Sequence, residues 1–324
     1  MIISKTPFRV SFMGGGTDLP SFYREESGAV ISTSIKKYMY ITVNDRFDSS
    51  FRLSYSKTEI VKSVDEIQHP IFRVILKNYT SDARGLEVIS MADIPAGTGL
   101  GSSSSFTVGL LNAIKGHFGH FQSADQLASE ACKIEIEILK EPIGKQDQYA
   151  AAYGGLRLIQ FYPDGSVKSE PVVFSPYKIK ELQHHMVLFY TGETRGASSI
   201  LKKQSDQIQT KMGALREMKK LVFDFKKVIE DNGSIDSLGR ILHQGWELKK
   251  SLSPEIPNGK INEYYERGLK AGAFGGKILG AGGGGFLMFF IHPDKKTALI
   301  NELQGLKILN TEFDPHGSRI IFFE

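Results

Sequence analysis

Pro95-Ala96-Gly97-Thr98-Gly99-Leu100-Gly101-Ser102-Ser103-Ser104-Ser105 joins two runs of different period. Before it, Leu86 to Met91 reads as a strand; after it, Phe106 to Lys115 repeats Val108, Leu111 and Ile114 at helical spacing. Glycine at 97, 99 and 101 lets backbone amides converge with no side chain in the way, and a helix N-terminus adds partial positive charge. Together they make a phosphate site running through Pro95, Gly97, Gly99, Leu100, Gly101, Ser102, Ser103 and Ser104. The hydroxyls could cap the helix or reach a metal bound to the phosphates. A Gly/Ser turn before a capped helix is the plainer alternative; three alternating glycines followed by four serines favour phosphate. No Gly-Lys-Ser or Gly-Lys-Thr occurs, so this is not a Walker A loop, and the His-Arg-Asp and Asp-Phe-Gly of protein kinases are absent too.

The loop is one of three glycine clusters. The others are Gly14-Gly15-Gly16, after a strand-like run from Ile2 to Phe12, and Gly280 with Gly282 to Gly285. Glycine makes up 33 of 324 residues, above the usual ~7%, and eleven of the 33 fall in these clusters, so low complexity is a poor explanation. The third cluster formally matches G-x-G-x-x-G, but Phe286 to Ile291 follows it as a strand where a dinucleotide site needs a helix. A glycine wall beside a bound ligand fits better.

Elsewhere short strands are expected at 39–44, 51–55, 186–190, 286–291 and 318–323. Helices are expected at 123–140, where Ser123 is the cap, then 194–231 with a break or bend near Gly213, and at 235–250, 260–271 and 293–303. The mixture is α+β. The least structured stretch, Ser169 to Tyr177, marks the expected boundary between domains 1–175 and 176–324. At 41% hydrophobic and 23% charged the chain can bury a large core, and a net charge of +4 gives no reason to expect nucleic acid or a membrane as partner. One cysteine, Cys132, excludes an internal disulfide framework; with no signal-like start, a cytoplasmic protein is expected.

Two carboxylates stand out. On a wheel of about 100° per residue over 124–140, Glu135 is the one charge inside the apolar arc formed by Leu127, Ala128, Ala131, Ile138 and Leu139. A buried carboxylate needs a partner, so Glu135 is either a metal ligand or half of a structural ion pair. Asp147 lies in a turn, Pro142 to Asp147, running into small residues; catalysis and an N-cap both fit. Asp18, after the first glycine cluster, has the same two readings.

In order along the chain, Pro7-Phe8-Arg9-Val10 through Gly14-Gly15-Gly16-Thr17-Asp18, then Pro95 to Ser105, then Lys277 to Gly285, resemble the three motifs of the GHMP small-molecule kinases. The name comes from galactokinase, homoserine kinase, mevalonate kinase and phosphomevalonate kinase, and the likeness covers nearly the whole chain. It implies a two-domain fold: an N-terminal ribosomal-protein-like α/β domain and a C-terminal ferredoxin-like one. It implies ATP and Mg²⁺, with Asp147 catalytic and Arg9 contacting that aspartate or the transferred phosphate. Glu135 and Ser103 would hold the metal, a neighbouring serine being an alternative to Ser103. Gly15, Gly16, Thr17, Asp18, Gly282 and Gly283 would line the acceptor.

Galactokinases carry Gly-Glu-His-Thr-Asp where this chain has Gly14-Gly15-Gly16-Thr17-Asp18, which argues against galactose. Gly14 to Pro20, Tyr190 to Arg195 and Gly275 to Gly280 most resemble the branch of bacterial heptose 7-phosphate 1-kinases, and fucokinase domains share parts of this pattern. The resemblance implies phosphorylation of an anomeric hydroxyl on a small sugar phosphate. Arg195 and Lys277 are candidates for the acceptor's own phosphate, although a surface salt bridge explains either. A non-catalytic sugar and ATP sensor is the remaining alternative. Oligomeric state, a homodimer included, stays open.

Overall fold

The computed structural model describes residues 1–80, 84–193, 208–252 and 259–324. A first sheet contains β1 (Ile2–Met13), β2 (Gly28–Asp45), β3 (Phe51–Ser54), β4 (Thr58–Val61), β5 (Leu86–Ala92), β6 (Leu156–Phe161), β7 (Val167–Pro171) and the C-terminal β12 (Arg319–Phe323). Its main path runs β12-β1-β2-β5-β3-β4; β6 pairs with the first part of β2, and β7 pairs with β6. A second sheet has the order β11 (Lys307–Ile308), β8 (Met186–Tyr190), β10 (Phe286–Ile291), β9 (Ala273–Ile278).

The 18-residue β2 extends well beyond the expected 39–44. Its first eight residues, Gly-Ala-Val-Ile-Ser-Thr-Ser-Ile, are all buried, so they lack the polar alternation that marks a half-exposed strand. It pairs with β6 at one end and β5 at the other, and with β1 along most of its length. The β1–β2 register slips between Pro7 and Phe8. Proline cannot donate to the ladder and is confined in sheet interiors to such bulges, which re-aim the side chains that follow. Arg9 is the second residue past the bulge. β12 pairs only with residues 2–5 of β1, which leaves the edge beyond them to other partners.

Helices follow: α1 (Pro20–Tyr23), α2 (Pro70–Tyr79), α3 (Ser102–His117), α4 (Ala124–Cys132), α5 (Gln146–Tyr153), α6 (Pro176–His185), α7 (Ile208–Glu230), α8 (Ile235–Leu252), α9 (Gly259–Lys270) and α10 (Lys296–Glu302). The central α3 packs on β1 and β2 and is buried almost all round, from Val108 to Ile114. Ser123 and Gln126 form a reciprocal capping box at the start of α4. The helix expected to reach residue 140 changes to a π turn at Lys133–Ile138, where the Leu139 N–H bonds the Ile134 carbonyl five residues back. Gly213 lies within the continuous α7, so no break falls there; residues 194–207 of the expected helix are outside the described residues.

A second core, with Trp246, Tyr265, Phe189 and Phe289, joins α8 and α9 to the second sheet. α7 spans the two layers, packing against α8 and against β1 and β2, with Phe225 stacked on Phe12 at 5.3 Å. Past residue 175 the chain builds this second layer, then returns β12 to the first sheet, so residues 319–323 pair with the N-terminal half. The site lies where the two sheets meet.

Candidate active site

Arg9 is 4% exposed on β1. Its Nε and Nη2 donate to the two carboxylate oxygens of Asp147, each at 2.8 Å, and its Nη1 donates to the Gly99 carbonyl at 2.6 Å. Its backbone N–H, on the edge of β1 not used by β12, bonds the Leu100 carbonyl at 3.0 Å. One residue thus ties the glycine loop, the sheet and the first turn of α5 together. Asp147 is the second residue of α5, after an N-cap that is Lys145, so the capping alternative for Asp147 falls away. Gln146 helps hold it: Ser11 Oγ donates to Gln146 Oε1 at 2.5 Å, and Gln146 Nε2 donates to Asp147 Oδ1 at 3.2 Å. Asp147 Oδ2 accepts only from Arg9 among the described residues, and the Asp147 side chain keeps 26% exposure, so this oxygen can take another proton donor.

The glycine loop enters α3 through Gly101, left-handed at φ +75°. Ser102, Ser103 and Ser104 supply the first N–H groups of the helix, which have no carbonyl partner within it. Of these serines Ser103 is the exposed one, and its hydroxyl donates to Glu135 Oε1 at 3.2 Å. Ser104, buried beside it, also acts on the Glu135 carboxylate, so both serines adjoin it. Glu135, 1% exposed inside the π turn, also accepts from Gln148 Nε2 at 2.6 Å. No cation forms an ion pair with it among the described residues, which disposes of the ion-pair alternative there. Burial pushes its carboxyl up to about 7. An under-compensated carboxylate beside a hydroxyl, both hard oxygen donors, is what a divalent cation with few protein ligands needs. The residues fit Mg²⁺.

The third glycine cluster lies against the second. A Cβ on Gly99, φ +82°, would stand 2.4 Å from the Leu279 carbonyl oxygen, and one on Gly280, φ +75°, would stand 2.6 Å from the Gly99 Cα. Backbone meets backbone here, and only glycine permits it. Gly280 to Gly284 form one wall of a cleft of about 300 Å³ whose other walls are Gly15, Gly16 and Asp18, the loop glycines, Glu135 and Asp147.

Asp18 Oδ1 accepts the Gly16 N–H at 2.9 Å, so it is no helix cap. Burial raises its pKa, and the neighbouring Asp147 charge adds to the rise. Lys277 reaches the cleft from β9 and donates to the carbonyls of Ser11 at 2.8 Å and Phe12 at 3.1 Å. It is buried and unpaired with any carboxylate among the described residues, contrary to the surface salt-bridge alternative.

Thr17 and Pro95 do not line the cleft, and the Leu100 side chain turns away from it. Thr17 is fully buried away from the cleft; its hydroxyl lies 2.8 Å from both the Gly14 and the Ala29 carbonyls and accepts the Ala29 N–H at 3.1 Å. Its work is to clamp the first glycine loop to β2. Pro95 accepts from Thr98 Oγ1 within the loop, and Leu100 points into the core, fully buried. Arg195 lies outside the described residues.

Sequence reasoning missed Lys249. It is 5% exposed on α8, lines the cleft, and donates to the Gly280 carbonyl at 2.5 Å. Burial lowers its ammonium to about 8. Its signal was present: it follows the buried Trp246 by three residues and Leu242 by seven, on the apolar face of the helix.

The chain is similar to known proteins along most of its length. The family described as GHMP kinases N terminal domain matches residues 55–155, and GHMP kinases C terminal matches 224–306. A D-glycero-alpha-D-manno-heptose 7-phosphate kinase of Campylobacter jejuni is 30% identical over 94% of this chain and 93% of its own length. An L-fucokinase/L-fucose-1-P guanylyltransferase of Bacteroides fragilis is 26% identical, over 92% of this chain but 35% of that protein. Among solved structures, a D-glycero-D-manno-heptose 1-phosphate kinase from Bacteroides thetaiotaomicron superposes with a TM-score of 0.84 and 25% identity over the full length of both chains.

Proposed function

The chain belongs to the GHMP kinases, sugar-type phosphotransferases that use ATP as donor and a hydroxyl as acceptor, and from that premise we propose that it phosphorylates the anomeric hydroxyl of a heptose 7-phosphate. The observation that carries the reading is the Arg9–Asp147 pair beside the N-terminus of α3, at the junction of the three glycine clusters. The 30% identical heptose 7-phosphate kinase supplies the sugar.

On this reading the amides of Gly99 to Ser104 and the N-terminus of α3 receive the ATP phosphates. Glu135 and Ser103 would hold Mg²⁺, which supplies positive charge against the phosphate oxygens when bound. Asp18, with Gly15 and Gly16, faces the sugar, and Gly282 and Gly283 close it in from the second layer. Asp147 Oδ2 accepts the proton of the attacking hydroxyl and fixes its direction. Arg9 holds that carboxylate still with two bonds and leaves its charge next to the oxygens on which negative charge grows during transfer. Gln146 and Ser11 keep Asp147 in register. A domain division near 175/176, with β12 returned to the first unit, gives these groups to both sides of the cleft.

The test is ADP release from ATP with a panel of free sugars and sugar phosphates. The reading predicts that a heptose 7-phosphate outperforms the free heptose, fucose and galactose. Equal or better turnover of fucose would favour the fucokinase alternative, and no turnover with any sugar would favour a sensor.

A further inference from the structure

Two lysines reach the cleft with no carboxylate bonded to them among the described residues. Lys249 arrives from α8 and Lys277 from β9, so the second layer supplies both. Each is about as buried as a core side chain, 5% and 6% exposed. Among the described residues each donates to backbone carbonyls alone: Lys249 to Gly280, Lys277 to Ser11 and Phe12. Neither is in an ion pair with a described carboxylate. Burial pushes both ammonium groups down, and the like charge of Arg9 pushes the same way.

A buried ammonium costs several kcal/mol unless a counter-charge offsets it. Three of the carboxylates lining the cleft are engaged elsewhere, although the Asp147 charge still favours that of Lys249. Arg9 already engages Asp147, and Glu135 lies with Ser103 and Gln148. Asp18 is near enough to favour the Lys249 charge, but its own carboxylate is disfavoured by burial and bonds the Gly16 N–H. The Lys249 Nζ lies 3.9 Å from where a Cβ on Gly15 would be, so the bare first glycine loop leaves space in front of it. An anion entering on the acceptor side would meet both lysines at once.

We propose that Lys249, together with Lys277, holds the phosphate that the acceptor sugar already carries, and so sets the preference for a sugar phosphate over the free sugar. The proposal rests on the sugar-kinase reading above and adds residues to it. A donor phosphate has the α3 N-terminus, Arg9 and the Glu135–Ser103 pair; the acceptor phosphate has these two lysines.

The experiment compares D-glycero-D-manno-heptose 7-phosphate with the unphosphorylated heptose as acceptors, using wild type, Lys249→Met and Lys277→Met. Methionine keeps the length of the side chain and removes an uncompensated buried charge, so Lys249→Met is expected to fold with an unchanged or raised Tm. Lys277→Met gives up two carbonyl contacts, and its melting curve serves as the folding control. Losing a charge-assisted contact to phosphate should raise KM for the heptose 7-phosphate about 10- to 100-fold. KM for the free heptose and for ATP should move less than about threefold, the scale of a contact that is not made.

A fall in kcat with both KM values unmoved would put Lys249 on the transferred phosphoryl group and overturn the assignment. An equal rise in KM for both sugars would make it a residue that shapes the cleft, and would overturn the assignment too. If wild type itself fails to prefer the phosphorylated sugar, the substrate reading falls and takes the assignment with it. If wild type prefers it and Lys249→Met prefers it as strongly, only the assignment falls.

Discussion

Arg9 holds Asp147 by both carboxylate oxygens, 2.8 Å each, while its third nitrogen donates to the carbonyl of Gly99 in the phosphate loop. A bidentate pair of this kind fixes direction as well as distance. The carboxylate proposed to take the proton is therefore braced from α5 against the loop proposed to receive the donor. Asp147→Asn keeps the shape but cannot take a proton. We expect turnover to fall about 10²- to 10⁴-fold, with KM for ATP unchanged, in an assay of ADP release at saturating sugar. A loss of only a few-fold would show that Asp147 is not the base.

Glu135 gives the protein a pH-dependent weakness that the cation should repair. Its folded-state pKa of about 7 lies above the ordinary carboxylate value of 4.5, because burial disfavours the charge. Below the ordinary value both folded and unfolded chains hold the proton and nothing is lost. Between 4.5 and about 7 the unfolded chain releases it first, so stability falls as pH rises, and above about 7 the loss is complete. The full effect is on the order of 3 kcal/mol. Metal-free wild type should therefore lose Tm relative to Glu135→Gln between pH 5 and pH 7, and Mg²⁺ with ATP should restore wild type but not the variant. Parallel Tm–pH curves for the two proteins would count against the buried carboxylate.

Thr17 and Asp18 are neighbours with different work. Thr17→Val removes the hydroxyl that binds the Gly14 and Ala29 carbonyls and leaves the Ala29 N–H without its acceptor. A loss of about 1–3 kcal/mol in chemical denaturation is expected, with the sugar KM within about threefold of wild type. Asp18→Asn should do the reverse, raising the sugar KM and leaving stability nearly alone. A large KM effect from Thr17→Val without loss of stability would return that residue to the acceptor site.

Gly99 and Gly213 offer a paired test of the glycine argument. Gly99→Ala forces a Cβ to 2.4 Å from the Leu279 carbonyl at a positive φ, so the loop must move away from the third cluster. Its KM for ATP should rise at least about tenfold, and stability should fall by about 1–3 kcal/mol. Gly213, exposed within α7 with open space around it, should gain about 1 kcal/mol as alanine. If both substitutions behaved alike, close backbone approach would not explain the cluster.

The glycine clusters were legible because close approach is a property of backbone, and a run of residues without side chains is itself the signal. Glu135 was legible because a charge on an apolar arc stands out on a wheel. The π turn around it was not, since nothing local distinguishes a five-residue step from a four-residue one. Lys249 was open to the same wheel argument and went unread on a helix that carried no motif. Thr17 could not be placed, because its partner Ala29 lies on β2, and the buried half of β2 has no alternation to betray a strand. β12 could be seen as a strand but not assigned a sheet, since its pairing with β1 spans more than 300 residues.

On the proposed reading Asp147 directs ATP's phosphoryl group onto a sugar's anomeric oxygen. NMR of the product formed from ATP and D-glycero-D-manno-heptose 7-phosphate reports the position of the new phosphate. A second phosphorus resonance coupled to the proton on C1 is expected, present with wild type and lost with Asp147→Asn. A new phosphate on any other carbon, or an unchanged sugar while ADP accumulates, would contradict it.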